Sequence, residues 1–505
     1  MRVTPPLCSL LIAVAWAEPL GGAEGSRNHG PAVTLMEPLS LRDCMLVALR
    51  ENLGLRIRVM NEVGARAAEV AERGAFDPEL SGGAVVRESR SAQAASELEG
   101  SSAPRSRDGN FDVRLVQPLG TGGEVALGSE ASKRKSNSAF AELNPAFDAE
   151  WVASVRQPLL RGFWFDAARI ALKEARIDSV TAGLEVRKTA LDVARDVEVA
   201  YWDLAAATRA EVILSLALET AKRLVEETQV RLEAGLANRV NIVEAESSRA
   251  QREEEVIVAR QERMDRLDEL FQLLGRLGGD EPEVRIAPAP PLPGPDTRSE
   301  EEVMDLIRQE LPDYQLALKE VEKLRLGVDR ERSELLPDVS LAASGGYSGR
   351  DSGFPQAYRG ASERDGFEWE VGLRVTMPLT FREGRARLLR AKARLGAGEL
   401  ARDQVDSDLR LRLRLARRGV ETAAARVTAA TAARVLAEER FDQLRAQFGE
   451  GLAPIRDVLL AQDDREQARL REVRARLAAA KAVAELARLD GSILTRHSIF
   501  WGPLQ

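Results

Sequence analysis

The stretch Phe367-Glu368-Trp369-Glu370-Val371-Gly372-Leu373-Arg374-Val375-Thr376-Met377 alternates without a slip between apolar side chains and charged or small ones. A period of two is the signature of a strand. It puts Phe367, Trp369, Val371, Leu373, Val375 and Met377 on one face and Glu368, Glu370 and Arg374 on the other. The same code recurs upstream, where Trp151, Ala153 and Val155 oppose Glu150, Ser154 and Arg156, and where Phe111, Val113 and Leu115 oppose Asp112 and Arg114. A water-exposed antiparallel sheet carries this pattern too, so alternation alone leaves the environment of the second face open.

Working outward, the strand segments 79–158 and 337–380 are each enclosed by helical sequence, and the order repeats. The first half reads as a helix from Ser40 to about Phe76, the strand segment, a long helix over 166–235 and a helix over 237–275. The second reads as a helix over 299–335, the shorter strand segment, a long helix over 384–450 and a helix to 490. Matching junctions accompany the repeat: Gln157-Pro158-Leu159 with Met377-Pro378-Leu379, and Gly235-Leu236-Ala237 with Gly451-Leu452-Ala453. This is an internal duplication. Between the halves, Pro282, Pro288, Pro290, Pro291, Pro293 and Pro295 mark a linker. The predicted organisation is a signal peptide over 1–17, an extended arm over 18–38, a first repeat over 39–281, the linker over 282–298, a second repeat over 299–490 and a tail over 491–505.

Helix lengths sharpen the picture. A helix of about 70 residues is about 105 Å long, beyond any compact domain. Its two neighbours in the first half, placed end to end, come to about 112 Å. Two short helices stacked beside one long one therefore make a rod of uniform height in each half.

Composition removes several classes of function. With 44 % hydrophobic and 30 % charged residues the chain is neither a disordered tail nor a bundle of membrane-spanning helices. Two cysteines, Cys8 and Cys44, and two histidines, His29 and His497, cannot build a Cys/His zinc cluster or a disulfide framework. A formal charge of −8 argues against nucleic acid as a partner. Gly120-Thr121-Gly122-Gly123 precedes an alternating stretch rather than a helix and lacks a following Gly-Lys-Ser/Thr, so it reads as a hairpin turn and not a phosphate cradle. No catalytic residue, metal site or cofactor is expected.

The N-terminus adds an address. Arg2, the apolar run Leu7 to Trp16 and Ala15-Trp16-Ala17 read as a secretory signal peptide. Together with Trp151, Trp164, Trp369 and Tyr347 near the predicted strand ends, this favours an outer-membrane barrel with a polar lumen, and the three tryptophans are candidate membrane-interface residues. Four strand-like stretches in the first half (79–88, 110–118, 122–132 and 147–158) and two in the second predict six strands. Six cannot close a membrane barrel, whose working minimum is about eight, so several chains must share one.

The chain resembles the TolC-type outer-membrane efflux channels over roughly 39–490. The resemblance rests on Leu39-Ser40-Leu41-Arg42-Asp43 with Ala48-Leu49-Arg50-Glu51-Asn52-Leu53, on Gln157-Pro158-Leu159-Leu160-Arg161-Gly162, on the two Gly-Leu-Ala tips and on the duplication. It implies a mixed α and β membrane protein, with a long periplasmic α-helical barrel and an outer-membrane β-barrel shared between protomers, built from two internal structural repeats. It further implies a homotrimer in outer-membrane lipid that passively conducts substrates as the exit duct of a tripartite efflux or type I secretion complex. The partners it implies are a periplasmic adaptor protein and an inner-membrane transporter. Family members usually contribute four strands per chain, so six is a departure, and the trimeric barrel is expected to have about eighteen.

The resemblance also nominates residues. Arg231, Gly235, Leu236, Gly451 and Leu452 match the adaptor-docking tips. Asp457 matches an aspartate of the periplasmic gate. The family's next aspartate is Leu460 here, the first-half counterpart is Asn241, and Asp464, one heptad beyond Asp457, lies on the same helix face. An aspartate in a first helical turn also serves simply as a dipole partner. The competing reading is a periplasmic coiled-coil scaffold or adaptor without a membrane barrel.

Overall fold

The computed structural model describes residues 40–90, 105–137, 141–163, 166–235, 237–276, 284 and 298–499. The predicted signal peptide, the extended arm, Trp164, Leu236 and nearly all of the linker lie outside the described residues. The first half runs α1 (Leu41–Glu51), α2 (Leu53–Arg73), β1 (Glu79–Arg90), β2 (Arg105–Pro118), β3 (Glu124–Ser136), β4 (Ala146–Pro158), α3 (Ala167–Glu233) and α4 (Arg239–Leu273). The second runs α5 (Glu300–Glu310), α6 (Pro312–Glu334), β5 (Asp338–Asp351), α7 (Phe354–Glu363), β6 (Gly366–Thr376), α8 (Arg382–Gly449), α9 (Ile455–Leu489) and the short α10 (Ile493–Arg496).

The halves match element by element. α1 and α5 each have 11 residues and open with a capping box, Ser40 with Asp43 and Ser299 with Glu302. α3 and α8 have 67 and 68 residues, so each is about 100 Å long, and α4 and α9 have 35 each. The helices expected to run unbroken over 40–76 and 299–335 are each divided. At Leu311 the cause is Pro312, which forces the preceding residue into extended backbone. At Asn52 no proline is needed. Its N–H closes α1 on the Ala48 carbonyl, and its side chain accepts from Leu55 N–H to open α2.

That break seats one short helix on the other. The Asn52 side-chain amide donates to the Leu273 carbonyl at 2.9 Å, and Arg276 holds Glu51 through two bonds of 2.9 Å. α1 and α2 thereby abut the C-terminal end of α4. The seam is buried in the largest apolar cluster, which includes Met45, Leu55, Tyr201, Phe271, Met304 and Ile307. Cys44 lies within it, and burial pushes its thiol up to about 12, so it behaves as a small apolar side chain. α3 packs along α2, α4, α6 and α9, and α8 along α6 and α9. Two stacked sets of four helices share the two long ones.

All six strands form one antiparallel sheet in chain order, β1-β2-β3-β4-β5-β6, and the β4–β5 pairing, with Trp151 opposite Tyr347, joins the repeats. The outer edges of β1 and β6 pair with no strand among the described residues. Strands of 11–14 residues tilted by about 45° are long enough to cross a bilayer. The faces differ as the alternation requires. Phe367, Trp369, Val371, Leu373 and Val375 are each 57–67 % exposed, and Leu80, Val86, Phe111, Leu115 and Leu127 continue this apolar face across β1–β3. On the opposite face Asp112, Glu130 and Glu150 occupy one register row on three adjacent strands.

α7 was not expected. It lies on the apolar face over a row of small residues, Ala131, Ala149 and Gly349, which face one another across β3, β4 and β5. Any Cβ at Gly349 would meet the backbone of Ala357 and Ala361, so the helix sits directly on the sheet. Phe354 packs on Phe147 and Tyr358 on Trp151 at ring separations of 4.6 and 5.8 Å.

Candidate functional site

At the end of the helices away from the sheet, the two tips lie side by side. α3 ends in Gly235 at φ +74° and α8 in Gly451 at φ +78°, a left-handed conformation that costs glycine little and other residues more. After Gly451 the Leu452 N–H returns to the Gln447 carbonyl at 2.8 Å. Asn238 restarts the chain as α4, accepting from the N–H groups of Val240 and Asn241 at 3.0 Å. Pro454 precedes α9, where its missing N–H costs nothing.

Arg231 joins the two tips. It donates to the Gly449 carbonyl at 2.9 Å, and its guanidinium lies 4.3 Å from the centre of the Phe448 ring. Beneath, Leu224, Ala245, Phe441, Phe448, Ile455, Val458 and Ala461 form a second buried cluster. Leu452 is 74 % exposed; Leu236 lies outside the described residues. Between α4 and α9 an open groove of about 740 Å³ is lined by Arg239, Val240, Val243, Arg456, Leu460 and Asp463. Its lining mixes apolar side chains with charges of both signs, Arg239 and Arg456 against Glu244 and Asp463.

The residues nominated for a gate share no hydrogen bond or ion pair with one another among the described residues. Asp457 is exposed in the first turn of α9. Asp464 is exposed too but is held by Arg440 of α8 at 2.9 Å. Asn241 is half-buried in the first turn of α4. Of the interface tryptophans, Trp151 lies mid-strand beneath Tyr358 instead of at a strand end, and Trp369 lies on the apolar face of β6. His497 meets the buried Glu198 at 3.2 Å.

Sequence reading missed a buried ionic cluster between α4 and α9. Arg252 reaches Glu255 at 2.6 Å and Glu466 at 3.2 Å, and also pairs with Asp463. Gln462 donates to the Ala217 carbonyl of α3 at 3.2 Å, and Arg465 stacks 3.8 Å from the Phe441 ring centre. Burial raises the Glu466 carboxyl above the ordinary range, against the opposing pull of Arg252. Burial, with Arg469 nearby, lowers Arg465. The signal was present: Arg252 occupies the same stripe as Ala245, Val256 and Ala259, all of them buried.

Among the described residues no helix is long and apolar enough to cross a membrane, and no His/Cys/Asp/Glu group is placed to hold a metal ion. The sequence pattern of a family described as outer membrane efflux protein matches residues 150–276 and 303–492, more than half of the chain. No curated protein sequence matches. Among solved structures, a membrane protein from Pseudomonas aeruginosa superposes with a TM-score of 0.67 at 18 % identity, over 89 % of this chain and 93 % of that one. The Campylobacter jejuni CmeC outer membrane channel gives 0.67 at 15 %, over 90 % and 85 %. The open state of the Neisseria gonorrhoeae MtrE outer membrane channel gives 0.63 at 19 %, over 90 % and 89 %. At these identities the likeness speaks for the fold alone.

Proposed function

The chain belongs to the outer membrane efflux protein family, and from that membership we propose that three copies form the exit duct of a tripartite efflux or type I secretion complex. It is a non-enzymatic outer-membrane channel protein with a helical part extending into the periplasm. One observation carries the assembly: a six-stranded sheet, apolar and exposed on one face and polar on the other, with both edges unpaired among the described residues. In hydrocarbon each unpaired edge group costs several kcal/mol, so the edges must meet those of other copies. Three copies make an eighteen-stranded barrel with the row of Asp112, Glu130 and Glu150 facing the lumen. The long helices then line a tunnel, and the Arg231-stapled tips with Leu452 and Gly451, beside Gly235 and Leu236, dock the periplasmic adaptor that links the duct to an inner-membrane transporter.

Asp457 is the gate residue in this reading, with Asp464 in support once Arg440 releases it, and Asn241 on the facing first turn. A soluble scaffold is the poorer reading, because it would leave the apolar face of β6 in water. Light scattering of protein extracted in detergent from the outer-membrane fraction is expected to weigh three protomers and to need detergent throughout. A monomer that stays soluble without detergent would overturn the proposal.

A further inference from the structure

The apolar face of the sheet ends abruptly at its outer end, and it ends in cations. On β1 the residues of that face run Leu80, Gly82, Ala84, Val86, Glu88 and Arg90; on β2 they run Leu115, Val113, Phe111, Gly109, Arg107 and Arg105. On β3 they run Val125, Leu127, Ser129, Ala131, Lys133 and Lys135. Val86, Gly109 and Lys133 share one register row, and Glu88, Arg107 and Lys135 share the next. The change from apolar to charged residues therefore falls within one register row on all three strands. Lys133 keeps to this face, its ammonium 5.2 Å from the centre of the Phe147 ring.

The charge there is unbalanced. Glu88 is the one carboxylate on this face of β1–β3 among the described residues, and it is taken by Arg105 at 2.9 Å. No carboxylate of the described residues pairs with Arg107, Lys133 or Lys135, and all three are exposed. At the same height on the opposite face two of the three cations are matched: Arg134 meets Asp108 at 3.1 Å and Arg350 meets Asp148 at 2.5 Å, while Arg87 pairs with no carboxylate of the described residues. A cluster made only to hold strands together would pair its charges on both faces alike. Whatever solvent covers the apolar band must present its polar end beside Arg107, Lys133 and Lys135.

We propose that Arg107, Lys133 and Lys135, with Arg90 and Arg105 at their edge, form a binding surface for the phosphate groups of anionic glycolipid in the outer leaflet. The inference rests on the membrane-barrel reading of the sheet. Long basic side chains at the end of an apolar band keep their stems in hydrocarbon and their charges at headgroup level. Arginine and lysine there bind phosphate through charge-assisted hydrogen bonds.

The test uses the full trimer in detergent and in phosphatidylcholine vesicles with and without diphosphoryl lipid A. Wild type is expected to bind the diphosphoryl lipid more tightly than its dephosphorylated form, with a preference that falls as salt rises. The triple variant Arg107→Gln, Lys133→Gln, Lys135→Gln is expected to lose about a hundredfold in that affinity. A control triple of equal charge change on the opposite face, Arg87→Gln, Arg134→Gln, Arg350→Gln, is expected to keep it. The single variants Lys133→Gln and Lys135→Gln, each expected to lose several-fold, stand in if the triple does not assemble. Equal affinity in wild type and the first triple, equal loss in both triples, or indifference of wild type to the phosphates overturns the inference. Failure of wild type to enter plain phosphatidylcholine vesicles instead defeats the barrel reading.

Discussion

Glu466 shows how one buried side chain sets a pH dependence. Its carboxyl is raised above the ordinary range, so the folded protein binds its proton more tightly than the unfolded chain does. Stability from this group therefore grows as pH falls through the raised value and is lost as pH climbs above it. Glu466→Gln, which mimics the protonated form, is expected to raise Tm by about 2 °C at neutral pH. The gain should vanish in acid below the usual carboxylate range, as measured by calorimetry across that window. A penalty at neutral pH would mean that the ion pair with Arg252 outweighs the burial. Residues of this kind were only half legible in the sequence. The stripe holding Arg252, Val256 and Ala259 could be read from spacing, but which ionic residues meet across α4 and α9 depends on the pairing of two distant helices.

Among the elements, the strands were the most legible, because a period of two needs no knowledge of neighbours. The breaks in the short helices divide the same way. Pro312 announces one, whereas Asn52 works through two capping bonds that a polar residue at any position could in principle make. α7 was illegible for a physical reason. It buries Ala357, Gly360 and Ala361, small residues that carry almost no hydrophobic signal, against the equally small Ala131, Ala149 and Gly349. Close approach replaces apolar bulk. Gly349→Val is therefore expected to lift α7 from the sheet at a cost of about 1–3 kcal/mol. Limited trypsin digestion should cut faster at Arg359, while far-ultraviolet circular dichroism reports the remaining fold unchanged. Unaltered digestion would mean that the Phe354–Phe147 and Tyr358–Trp151 packing holds the helix without the glycine.

For the molecule as a whole, conduction is the property to measure. In the proposed trimer Asp457 recurs three times at the narrow end, where a ring of carboxylates favours cations. Replacing Asp457 and Asp464 together with Ala is expected to raise single-channel conductance or weaken cation preference in planar bilayers. Unchanged conductance and selectivity would return Asp457 to the role of dipole partner for α9. The tips themselves could be read in the sequence because Gly235 and Gly451 mark chain reversals in matched positions. The Arg231 staple could not, since it spans two repeats and aims at a backbone carbonyl.

The β4–β5 pairing that joins the two repeats also imposes an order on assembly. β1 to β4 form consecutive hairpins and can zip locally, each with a small loop-closure cost. β5 must find β4 across the whole of α3, α4, α5 and α6, so the sheet is completed only after the second repeat has been made. Until then β4 exposes a sticky edge of thirteen residues, and in the proposed trimer β1 exposes one of twelve until another copy arrives. The slowest and most aggregation-exposed moment in the life of this chain is thus the interval in which its first repeat is folded and its second is not.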